Sequence, residues 1–142
     1  MTADRQKRLA FHRAGELVAG YLTGVPLPTT ASVTKSIRKQ FGRPNPEALT
    51  HFFGVLCEAK GGLDFDPATA GPAAKAAGDL LGDDAERTDQ LWAVARCWFR
   101  IKAIDAAVRD LALVLLDGRA VDAGEVERCC AAYGLPRGGR AG

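Results

Sequence analysis

Apolar residues recur at three- and four-residue steps through most of the chain, so the pattern is helical. The first such segment is "RQKRLAFHRAGELVAGYLTG", reaching about Gly24, with Thr2 or Asp4 placed to cap its start. Phe11, Ala14, Leu17, Val18, Tyr21 and Leu22 fall on one face and predict its core side. Pro26 and Pro28 end it, and "ASVTKSIR" then alternates, Val33 and Ile37 against Thr34 and Ser36, as a strand does. One other short stretch can pair with it, so the sheet is small.

A second helix is expected from an Asn45 cap with Pro46 at its first position, running to about Lys60 and stopping at Gly61-Gly62. "LDFDPATAG" reads as a loop, and Pro72 opens a short helix in "PAAKAAGDLLG". Between Asp84 and Asp117 there is neither Gly nor Pro, which predicts one long helix or two joined near Arg100, closed by Gly118. Asp122 and Glu125 have the spacing of a capping box for a last short helix. The pattern implies one mostly α domain with a small β element (α+β) over residues 1–142, ordered from about 3 to 134, with a flexible tail over 135–142.

Composition narrows the function classes. With 142 residues, 47% apolar and 25% charged, the chain suits a single globular domain. A formal charge of +2 is too small to imply nucleic acid, and no apolar run is long enough for a bilayer. Lys35, Arg38, Lys39 and Arg43 gather around Phe41, which reads as a solvated strand end rather than a phosphate-binding patch. Cys57, Cys97, Cys129 and Cys130 form no C-x-x-C pair and read as reduced core thiols of a cytoplasmic protein. There is no secretory signal and no phosphate loop. Trp92, Trp98 and Phe99 read as core, and His51 as a helix-surface or core-edge residue.

The candidate chemistry lies in "FHRAGE", residues 11–16. His12 and Glu16 are four apart and so stack on one face of the first helix, nearly opposite the apolar stripe. Gly15 and Ala19 beside them leave room for another segment. From spacing alone this is a solvated polar face with a helix-stabilising pair.

"LAFHRAGELVAGYLTGVPL" resembles the H-E-A-G-H helix in the peptidase domain of FtsH-type ATP-dependent zinc metalloproteases. His12 matches the first zinc histidine and Ala14-Gly15 the middle of the motif, whereas Glu16 stands in place of the second histidine and Arg13 in place of the glutamate base. "TDQLWAV" resembles the family's third-ligand phrase and offers Asp89; "AGPAAKAAGDLLG" and "AAVRDLALVLLDGRAVDAGEVERCC" are similar to its other helices. The resemblance implies that His12, Glu16 and Asp89 converge as a vestigial or atypical metal site. Such a set, one nitrogen and two carboxylates, is harder than the usual zinc site.

Arg13 bears on activity most directly, because a guanidinium stays protonated and cannot act as a general base. It can instead pair with Glu16 or Asp89 and occupy the ligands. Three readings follow, none of which settles whether the chain is an enzyme. The leading one is a stand-alone, proteolytically inactive relative with a binding or regulatory role toward a protein or peptide. The second is an active metal-dependent peptidase or hydrolase with a rearranged site, and the third a helical interaction module. No bound cofactor is expected under the first reading; zinc or another divalent metal is expected under the second. Oligomeric state is left open.

Overall fold

The computed structural model describes residues 2–28, 30–32, 44–62, 67–82 and 84–138. It is mostly helical, with a minimal sheet. Helix α1 (Ala3–Thr23) begins where the Thr2 hydroxyl accepts from the Arg5 amide, and it ends at Gly24, whose φ of 78° is left-handed. From Ala10 to Tyr21 every residue of α1 is buried. The polar face, which spacing alone predicts to be solvated, is therefore buried, and α1 is the central helix of the domain.

Three layers of packing bury it. Helix α2 (Pro44–Cys57) covers the His12/Glu16 side and continues into a 3₁₀ turn (Glu58–Gly61) that stops at Gly62, φ 76°. Helix α5 (Lys102–Leu116) lays Ile104, Ala107, Val108, Leu111, Ala112 and Leu115, a helical stripe, toward the core, where it packs on α1. Helix α6 (Ala123–Ala132) adds Val126 and Cys130. Its start is the expected cap, with the Asp122 carboxylate accepting from the Glu125 amide at 2.8 Å.

Helix α3 (Pro67–Leu81) is longer than the sequence suggests: it opens at Pro67, and Pro72 lies inside it. Pro67 supplies the preset φ of a first helical position, and Pro72, in the second turn, lacks the amide that would bond to the carbonyl four residues before it. Helix α4 (Ala85–Phe99) and α5 are two helices, not one, because Arg100 closes α4 and Ile101 is extended. Helix α2 starts at Pro44, just before the expected Asn45 cap. The sheet is the antiparallel pair β1 (Thr30–Ala31) and β2 (Val121–Asp122), with Ala31 opposite Val121. Most of the strand expected over residues 31–38, and the basic cluster Lys35, Arg38, Lys39 and Arg43, lie outside the described residues.

Part of the expected flexible tail is docked. Arg137 donates from Nη1 to the carbonyls of Gly20 (3.0 Å) and Tyr21 (2.9 Å), and the Gly138 amide donates to Tyr21 O. Helix α1 has no basic residue in its last turn, so Arg137 supplies the cation that its exposed carbonyls favour. The backbone passes so close that a Cβ on Gly138 would overlap Leu22 O.

Candidate functional site

Two small residues set the geometry of the α1–α2 contact. A Cβ on Gly15 would lie 2.7 Å from Cys57 Sγ, and one on Gly54 would lie 2.7 Å from Glu16 Cγ and 3.0 Å from His12 O. The two backbones approach where both side chains are missing, which brings α2 down onto the motif. His51, Gly54 and Glu58 repeat at helical spacing on the second segment and face His12, Gly15 and Glu16 on the first.

Most of the polar side chains at this contact pair with one another; His51 Nδ1 is buried without a hydrogen bond. His12 Nδ1 donates to Glu58 Oε2 at 2.7 Å, and its Nε2 lies 3.7 Å from Glu16 Oε2. Arg13 Nη1 donates to Glu16 Oε1, while Arg13 Nε donates to the Ser32 carbonyl at 3.3 Å. His51 Nδ1 sits 3.3 Å from Glu16 Oε2, without the alignment of a hydrogen bond. His12, Arg13, Glu16 and Glu58 are 4%, 6%, 1% and 2% exposed, so the cluster is closed to solvent.

Charge balance explains how four ionisable groups tolerate this burial. Burial disfavours the charged imidazole, but hydrogen bonds and the fields of Glu16 and Glu58 outweigh it and push His12 up to about 9. Burial likewise works against the Glu16 carboxylate, yet contacts with His12 and His51 and the charges of His12 and Arg13 hold it far below the usual carboxylate range. Two cations, His12 and Arg13, thus face two carboxylates, Glu16 and Glu58. A buried set of this kind adds little net stability over an apolar replacement, but removing one member strands a charge.

Asp89 does not join them. It lies in the second turn of α4 on the exposed face, while α4 packs mainly on α2 rather than on α1. His12 and Glu16 meet, whereas Asp89 is exposed on α4 and belongs to no metal-holding group among the described residues. The match of "TDQLWAV" also places Asp89 too late in the chain to open a helix, since Asp84 caps α4 by accepting from the Arg87 amide.

These positions do not fit a zinc ion. The Glu16 oxygens are engaged by Arg13 and His12, and the two carboxylates beside His12 favour its protonated form over the neutral imidazole a metal ligand needs. Among the described residues, no group of three or more His, Cys, Asp or Glu side chains is placed to hold a metal. Glu58, which the sequence left unassigned, and His51, read from sequence as a helix-surface or core-edge residue, both meet the motif. Their signal was the i, i+3, i+7 repeat of His51, Gly54 and Glu58, hidden inside an otherwise apolar run.

The remaining candidates belong to the framework. Phe52 stacks on Trp92 with ring centroids 4.2 Å apart, and Phe53 meets Trp98 edge-on at 5.8 Å, so both tryptophans join α4 to α2. Lys60 donates to Asp105 Oδ1 at 2.7 Å and to Phe99 O at 3.0 Å, tying the 3₁₀ turn to α5. All four cysteines are free; Cys57 and Cys130 are buried, with burial pushing the Cys130 thiol up to about 12, whereas Cys97 is exposed rather than core. No described helix is long and apolar enough to cross a membrane.

Comparison of the chain with protein-family models, with curated proteins and with solved structures gave no match.

Proposed function

We propose that the chain is a proteolytically inactive domain with a binding or regulatory role, on a scaffold that resembles the FtsH-type peptidase domain. In this reading the metal-binding positions of the motif have become a structural charge network. The observation that carries it is the pairing of Arg13 with Glu16. The residue at the base position cannot accept a proton, and it occupies the carboxylate at the second ligand position. Glu16 and Glu58 favour the protonated form of His12, which works against its use as a ligand or a base. The site is closed, which moves any binding of a protein or peptide partner to the outer surfaces. Four unpaired cysteines suit a reducing, cytoplasmic setting.

A rearranged hydrolase is the second reading, and one observation favours it: His51 brings a second imidazole to within 3.3 Å of Glu16. It requires Arg13 to leave Glu16 and His12 to lose its proton. Zinc titration of the purified chain, followed by melting temperature and elemental analysis, separates the two. The inactive reading predicts far less than one equivalent of zinc and no metal-dependent rise in melting temperature. Near-stoichiometric zinc that His12→Ala abolishes, with peptide hydrolysis lost alongside it, would overturn the proposal.

A further inference from the structure

Helix α4 buries only Ala95 completely, although Leu91, Trp92, Trp98 and Phe99 are partly covered from one side. Its opposite face carries charge in two blocks. Glu86 and Asp89 are exposed in the N-terminal half, and Arg96 and Arg100 at the C-terminal end. None of the four makes an ion pair among the described residues. Ala93 lies between the blocks; Val94 beside it is 38% exposed, and Ile101, just beyond the end of α4, is 45% exposed.

A single chain accounts for only part of this arrangement. Acid early and base late suits the helix dipole, which explains Glu86 in the first turn and Arg96 in the last but not Asp89 in the second. Glu86 and Asp89 are three apart and Arg96 and Arg100 four apart, so each block sets like charges side by side, which disfavours the helix. The dipole also gives no reason for Val94 and Ile101 to meet water.

We infer that this face pairs with the same face of a second copy of the chain, the two α4 helices lying antiparallel across a two-fold axis at Ala93. Such an axis sets each position before residue 93 against the position equally far after it, so Glu86 meets Arg100 of the other copy. Asp89 falls beside Arg96 of the other copy, one position from alignment. Both like-charge blocks are then matched by opposite charge, and each pair occurs twice. The small side chain of Ala93 at the crossing allows close approach of the axes, and Val94 and Ile101 are covered at the edge. A parallel pairing would set acid on acid and base on base. Two helices of 15 residues bury less than the roughly 1,200 Å² of a standard stable interface, so the dimer is weak and concentration-dependent. The inference is independent of the charge network between α1 and α2, and it gives Asp89 a place.

Sedimentation velocity of the full chain at low salt, from about 10 μM to about 1 mM, tests it. The native chain should shift from monomer toward dimer with concentration, and added salt should weaken the association. Arg96→Glu with Arg100→Glu should stay monomeric, as should Glu86→Arg with Asp89→Arg. An equimolar mixture of the two variants should associate again, because an all-acidic face then meets an all-basic one. All four positions are exposed, and circular dichroism checks that folding is retained. Should a variant unfold, Ala93→Cys in a Cys97→Ser background carries the test, since oxidation should link two copies through the axis. A native chain monomeric at the highest concentration, association indifferent to the charge reversals, no recovery on mixing, or no cross-link at position 93 would each overturn the inference.

Discussion

Replacing His12 by Gln isolates the electrostatic part of the buried network. The side chain is 4% exposed, so solvent screening barely discounts its interactions. Its pKa rises from 6.5 in the unfolded chain to about 9 in the folded one. At about 1.4 kcal/mol per tenfold, that is about 3 kcal/mol of stability tied to one proton. Below pH 6.5 both states hold the proton and the stabilisation is fully present. Between 6.5 and about 9 only the folded state holds it, so stability falls as pH rises; above about 9 the contribution is gone. Urea unfolding of the native chain and His12→Gln at about pH 6 and about pH 10 reads this directly. Other titrating groups cancel in the difference between the two proteins. The native advantage should be larger at the lower pH by about 3 kcal/mol. Parallel pH profiles for the two proteins would refute the argument, because they would mean that His12 carries no bound proton in the folded state near neutrality.

The same network gives further expectations. Arg13→Met should lower stability by about 3–5 kcal/mol in chemical denaturation, since it leaves Glu16 short of a cation in a closed site. On the acid side, the stabilisation from Glu16 is present above its ordinary 4.5 and lost as pH falls toward its depressed folded value, so the gap between the native chain and Glu16→Gln should shrink during acid titration. Gly54→Ala should cost more than the helix propensity gained, about 1 kcal/mol, because its Cβ meets Glu16 Cγ at 2.7 Å; thermal melts should show a net loss. Arg137→Ala should lower the melting temperature by a few degrees, as it removes two hydrogen bonds from a charged donor to the end of α1, and amide exchange should rise there.

Which features the sequence revealed depends on how local their causes are. The caps at Thr2 and Asp122 and the stop at Gly62 are set by neighbouring residues, so local pattern locates them, whereas it leaves a break at Arg100 and one long helix as alternatives. The central position of α1 was not local. Its apolar stripe predicts one buried face, but Gly15 and Gly54 let α2 bury the other, and only a contact across 39 positions makes that visible. Spacing puts His12 and Glu16 on one face, but the resemblance of "FHRAGE" to H-E-A-G-H is what singles out those two and Arg13. Glu58, 46 positions from His12, was missed because a single carboxylate after an apolar run has no local mark. Asp89 was placed by resemblance of a short phrase, and the helix there begins one turn earlier than the phrase suggests. Arg137 looked like tail because its partners, backbone carbonyls at the end of α1, carry no sequence identity.

The most direct measurement of the central claim is the imidazole nitrogen spectrum of His12, recorded by long-range ¹H–¹⁵N correlation at about pH 7.5 with and without zinc. An imidazolium locked between Glu58 and Glu16 predicts both nitrogens protonated at that pH, titration near 9, and no change on adding zinc. A neutral imidazole at that pH, with one nitrogen shifted by the added metal, would contradict it: the motif would then be a metal site that Arg13 does not close.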